Sequence, residues 1–331
     1  MSCTQIADRD LILDFVKGIL VIIMVIYHIM NYFTTASDTT FTYVRFITGS
    51  FVFISGYIIA VYYEHRFNID KHTTSRRLIT RGGKLLLLFT FLNIIINITE
   101  VGNPNKALGL SRYVHDFVDI YIYGTPYRAS FQVLLPISYL LALSPIFLLF
   151  SCLYLYAYAV LFLLVFFLAL LATPSVNVNL IIIGLIGLSV GMMSNSLKYP
   201  FFLTRTWIIV PLIAICVSLM GYLDKYIIAY SMGIIIILKL FYDLGRSSNL
   251  QTHLNQLIIL LGQYTLVCYI MQIVFLQGLV FLLSRRRWGL GYETISIFLI
   301  TIIFLSVLSL SIRFLRDRYT FMDKVYRLVF A

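Results

Sequence analysis

Lys17 and His28 are the residues of this chain whose types and spacing most suggest chemistry. They share its first long apolar run, residues 11–33. They stand eleven positions apart, and eleven steps of about 100° return an α-helix to within roughly 20° of its starting face. Both side chains therefore point the same way, separated by roughly 16 Å along the axis. Ionisable groups at membrane depth face a bundle interior or a water-filled cavity and are functional candidates by default. A neutral imidazole there suits a general base. A histidine hydrogen-bonded between helices for packing alone fits the sequence equally well. Asn31 lies one turn further on and could orient the ring or a substrate. Asp14, three residues before Lys17, could pair with it at the helix entrance.

Arg76, Arg77, Arg81 and Lys84 recur at helical spacing before a later apolar run. Such cations can grip phosphates through charge-assisted hydrogen bonds, or simply anchor the inner side of a membrane span. Gln272, inside another apolar run, is an amide that needs partners; it is either interhelical glue or a lining residue. Tyr139, Tyr264 and Tyr269 are similarly open. The segment 99–130 carries His115, Asp116 and Asp119 among several tyrosines, the kind of acidic and aromatic surface that holds sugars. In Gly49-Ser50-Phe51-Val52-Phe53-Ile54-Ser55-Gly56-Tyr57, Gly49, Phe53 and Gly56 fall near one face. That pattern allows close helix approach.

The elements that must position these residues are membrane helices. Hydrophobic residues make up 60% of the 331, charged residues 12%, and the mean hydropathy is +0.93. No soluble domain of this length has that composition. Spans are expected near 11–33, 41–63, 82–98, 131–150, 152–172, 179–197, 206–223, 225–243, 257–283 and 293–314. The fold class is thus an all-α polytopic bundle of about ten transmembrane helices, with residues 1–331 forming one membrane-embedded domain. The first span is read as a retained helix and not as a cleaved signal. An even count puts both termini on one side. Roughly two-thirds of the 25 Lys and Arg then fall on that side, which makes it cytoplasmic. The segment 64–81 reads as a basic cytoplasmic loop. Arg285-Arg286-Arg287 runs against the charge rule.

The net charge of +11 is explained by lipid headgroups and topology, not nucleic acid. The four cysteines have neither metal-ligand spacing nor a disulfide pattern, so no metal is expected.

Taken together, the features resemble the membrane acyltransferase-3 superfamily. The carriers are the first-helix motif from Lys17 to His28 within DFVKGILVIIMVIYHIMNYF, the run GSFVFISGY, FQVLLPISYLLALSP, and the late GQYTLVCYIMQ. They are most similar to the branch containing the osmoregulated periplasmic glucan succinyltransferases. The heparan-glucosaminide N-acetyltransferases look like more distant relatives. The resemblance implies transfer of an acetyl or succinyl group from cytoplasmic acyl-CoA, a co-substrate and not a tightly bound cofactor. The acceptor it implies is an extracytoplasmic glycan or glycolipid. It makes His28 the general base and Lys17 a pore-lining cation. Arg77, Arg81 and Lys84, with Arg76 beside them, become the contacts to CoA phosphates. Gln272, which stands where many relatives have histidine, is expected to meet substrate with Asp116 and Asp119. The expected partners are acyl-CoA, the acceptor and membrane lipid, in a bacterial inner membrane. The rival expectation is a transporter or flippase of a lipid-linked sugar, which would move substrate without acyl-CoA.

Overall fold

The computed structural model describes residues 10–33, 46–99, 110–124, 131–153, 175–196, 227–282 and 292–330. Among them the regular structure is helical, with no strand. The helices are α1 (Leu11–Phe33), α2 (Phe46–Ile69), α3 (Lys71–Thr99), α4 (Leu110–His115), α5 (Leu134–Leu153), α6 (Val176–Ser196), α7 (Ile227–Ser247), α8 (His253–Gln263), α9 (Thr265–Leu282), α10 (Tyr292–Arg318) and α11 (Thr320–Phe330). A π-helical turn, Asp119–Tyr123, follows α4.

Five described helices are long and apolar enough to cross a bilayer: α1, α2, α3, α9 and α10. They mark the chain as a membrane protein. The count of about ten is not reached among the described residues. The expected span 206–223 lies outside them, as do nearly all of 152–172 and the Arg285-Arg286-Arg287 cluster.

Two expectations need correction. The segment 64–81 is not a loop. α2 runs on to Ile69, and α3 starts at Lys71. Only Asp70 separates them, and its carboxylate accepts the Thr73 amide at 3.0 Å as a cap. That cap lets the basic stretch become the first turns of a long helix. The run 257–283 is not one span either. It breaks at Tyr264 into α8 and α9, and the Thr265 hydroxyl donates to the Gly262 carbonyl at 2.6 Å there.

α1 is the hub, packed against α2, α7, α8, α9 and α10. It begins where Asp10 accepts the amides of Ile12 and Leu13, at 2.9 and 3.2 Å. Leu20, Val21 and Val25 on α1 are fully buried. Lipid offers no hydrophobic drive for helix pairing, so close backbone approach must supply it. At the α1–α8 crossing a Cβ on Gly18 would overlap the Ile258 carbonyl, and one on Gly262 the Asp14 carbonyl. The same device joins α2 to α6, where Gly56 meets the Gly184 backbone and Gly187 meets that of Phe53. The face expected for Gly49, Phe53 and Gly56 is thus a packing face, although Gly49 meets Tyr230 and Ile234 of α7 instead.

Candidate functional site

The polar residues gather at two ends of the bundle, joined by α1. At the first end Arg76, Arg77, Arg81 and Lys84 line one cavity of about 620 Å³, together with Tyr63, Arg66, Thr73 and Thr80. Six of these positions, from 73 to 84, follow the spacing of a single helix face. The Arg81 guanidinium bonds the Tyr63 hydroxyl and lies 6.0 Å from that ring's centre. Next to Tyr63 in sequence, the Tyr62 hydroxyl accepts the Asp10 amide at 3.2 Å. α2 therefore carries the cavity wall and the start of α1 on adjacent tyrosines. Hydrogen bonds from Thr73 hold the Asp70 carboxyl below the usual carboxylate range.

Inside this end, Lys17 pairs with Asp14 at 2.5 Å, and Asp14 is almost wholly buried. The pair stands where Gly262 meets the Asp14 carbonyl, two residues from the break at Tyr264. Lys239 of α7, 4% exposed, pairs with Asp243 at 2.7 Å. The Tyr242 hydroxyl reaches the Asp10 carboxylate at 3.4 Å. Lys239 is not among the residues singled out from the sequence, although its place inside the apolar run IIIILKLF marks it. A third feature has no one-dimensional signal. Arg316 of α10 bonds Asp323 of α11 at 2.8 Å and lies 4.1 Å from the Tyr326 ring centre. It also donates to the Tyr264 hydroxyl at 3.3 Å, so it clamps α11 to the helix break.

At the other end His28 lies among aromatic rings. Tyr32 stacks on it with centroids 5.8 Å apart, Tyr27 meets it edge-on at 5.3 Å, and Tyr269 of α9 lies 6.4 Å away. His28 is partly exposed as a residue, while its Nδ1 is buried. The Gln277 amide donates to the Tyr32 hydroxyl at 3.5 Å. Phe131, a non-glycine residue at φ 59°, sets its ring edge-on to Tyr269 at 5.9 Å. Asn31, one turn beyond His28, is exposed. Gln272 is fully buried in α9.

Asp116 and Asp119 belong to a strap across this same end. The Asp116 carboxylate meets His115 Nδ1 at 3.0 Å. Asn177 of α6 donates to the Tyr121 carbonyl at 3.0 Å, and Ser175 to that of Ile122 at 2.7 Å. The Tyr121 hydroxyl meets those of Thr90 and Tyr113 at 2.6 and 3.0 Å. Burial first, then Tyr121, pushes the Tyr113 hydroxyl well above the ordinary tyrosine range. The expected site residues thus form two groups. Arg76, Arg77, Arg81 and Lys84 are together at one end, with Lys17 further in. His28, Gln272, Asp116 and Asp119 belong to the other.

Comparison with known families gives one finding. A family model described as OpgC protein matches residues 9–212, more than half of the chain. No curated protein and no solved structure matches it.

Proposed function

Because this chain belongs to the OpgC family, we propose that it is a membrane acyltransferase that moves an acyl group from acyl-CoA to a hydroxyl of a periplasmic glucan, with His28 as general base. Family membership supports the coarser statement, an acyltransferase of the periplasmic glucan succinyltransferase type. The observation that carries the finer reading is the separation of functions along α1. A cavity walled by five cations stands at one end, and an imidazole among tyrosines stands roughly 16 Å further along the axis from Lys17.

Acyl-CoA has matching parts. Its phosphates suit the guanidinium forks of Arg76, Arg77 and Arg81 and the ammonium of Lys84. Its long thin arm can follow α1 past Lys17 and bring the thioester to His28. Asp116 and Asp119 line the side from which a sugar arrives. The sugar oxygen attacks the thioester carbon while His28 takes the hydroxyl proton. The carbon–sulfur bond then breaks, and the proton passes to the leaving thiolate. In this reading the basic end faces the cytoplasm of a bacterial inner membrane, as the charge distribution favours.

The test is acceptor-dependent CoA release by purified protein, with labelled acetyl- and succinyl-CoA and a panel of glucans. Release by wild type that vanishes in His28→Ala supports the reading and names the donor. Full activity in a folded His28→Ala sinks the base assignment. Movement of a lipid-linked sugar without acyl-CoA would favour a flippase instead.

A further inference from the structure

We infer that Gln272 is the hydrogen-bond donor that meets the acyl carbonyl oxygen beside His28. The inference deepens the acyl-transfer reading and rests on it.

Gln272 is 0% exposed, and neither its Nε2 nor its Oε1 has a hydrogen-bond partner among the described residues. Three other amides of the bundle have partners, and Asn179, whose Oδ1 is buried without one, is open at one end only. Gln277 reaches the Tyr32 hydroxyl, Asn93 the Phe89 carbonyl, and Asn177 the carbonyls of Ile120 and Tyr121. A buried amide with both ends open is costly, and such a group in a folded protein calls for an explanation. Packing does not supply one, since methionine would fill similar space without the cost.

Its depth supplies one. α1 and α9 run side by side and are tied at two points. Near one end Gln277 bonds Tyr32. Gln272 lies about 7.5 Å back along α9 from Gln277, and His28 lies about 6 Å back along α1 from Tyr32. Near the other end Gly262 abuts the Gly18 backbone. His28 is ten residues beyond that contact along α1, and Gln272 is ten residues beyond it across the break at Tyr264. The Gln277–Tyr32 tie places the two side chains at about the same level, and the Gly262 contact keeps the two helices in the same order. Tyr269, whose ring lies 6.4 Å from that of His28, is three residues before Gln272 and roughly 60° round the same helix. Asn31, the other amide near His28, is exposed.

As the sugar oxygen attacks, negative charge builds on the thioester oxygen. A donor already desolvated at that depth stabilises that charge without first shedding water. Phe131 keeps a left-handed backbone conformation that side chains disfavour, and its ring buttresses Tyr269.

The experiment compares wild type, Gln272→Met, Gln272→His and His28→Ala by glucan-dependent CoA release from succinyl- and acetyl-CoA, and by thermal melting. Gln272→Met is expected to melt at or above wild type, because an open buried amide is gone. Its kcat is expected to fall on the order of 10²-fold, with KM for acyl-CoA little changed. Gln272→His, which returns an N–H donor, should recover part of the rate. A Gln272→Met enzyme with wild-type kcat, alongside an inactive His28→Ala, overturns the inference and leaves the acyl-transfer reading standing. A Gln272→Met protein that melts well below wild type assigns the amide to structure and also counts against it. If wild type releases no CoA with any acceptor, the acyl-transfer reading fails and the inference falls with it.

Discussion

The basic end and the aromatic end of this bundle are built by different means. At the basic end, one face of α3 sets Arg76, Arg77, Arg81 and Lys84 along the same cavity. Each cation is placed by local helix geometry, and their long side chains tolerate small errors. At the aromatic end, His28 on α1 is met by Tyr269 from α9, which is in turn met by Phe131 from the turn before α5. No single helix makes that site. A charge cluster can be distributed and adjustable, whereas a proton-transfer site needs groups from several helices held in a fixed relation. Damage to the first should therefore weaken binding in steps, and damage to the second should stop the chemistry.

The largest expected effect follows at His28. His28→Ala should lower acceptor-dependent CoA release by about 10³-fold, within the range for loss of a general base, with an unchanged melting curve. The double variant Arg77→Ala/Arg81→Ala should do something different. KM for acyl-CoA should rise by roughly 10²-fold while kcat changes little, as loss of two charge-assisted bonds predicts. The KM of the wild type should also climb with added salt, because an open cationic cavity is screened. Should the arginine variant lose kcat and keep its KM, the division of labour between the ends is wrong.

Smaller effects sharpen the comparison through the scaffold. Gly262→Ala puts a methyl group against the Asp14 carbonyl and must push α8 from α1. We expect destabilisation of about 1–3 kcal/mol by overpacking, read as a lower melting temperature. Because Asp14 holds Lys17 beside this contact, the same variant should slow transfer without altering the melting order of the strap at residues 110–124. The smallest effect is at Asp70. Its folded carboxyl lies below the ordinary value of 3.8, so its capping contribution is fully present above that pH and fades as pH falls through the lower folded value. Asp70→Ala should melt slightly below wild type at neutral pH, and the gap should close in strong acid.

Much of this was legible in one dimension, and the reasons are local. The bounds of α1, residues 11–33, follow from a long apolar run that only a few polar residues, Lys17 and His28 among them, interrupt. The shared face of Lys17 and His28 is helical arithmetic, and so is the face of the cavity cations. The expected basic loop at 64–81 failed because a polar stretch reads as a loop, when one capped joint lets α2 and α3 continue to either side of it. The break at Tyr264 was invisible, because GQYTLVCYIMQ has no charge or proline to mark it, and the backbone that Gly262 meets beside it, that of Asp14, is far away in the chain.

By itself, then, the sequence determined the helical membrane class and the polar faces of α1 and α3, since hydropathy and a period of 3.6 residues are properties of one segment. Tertiary structure alone decided which tyrosines surround His28, that Arg316 clamps Asp323 and Tyr264, and that Gln272 stands open at the depth of His28. Each of those facts depends on which helices touch and at what register. In lipid that register is set by close backbone approach at glycines whose partners lie elsewhere in the chain.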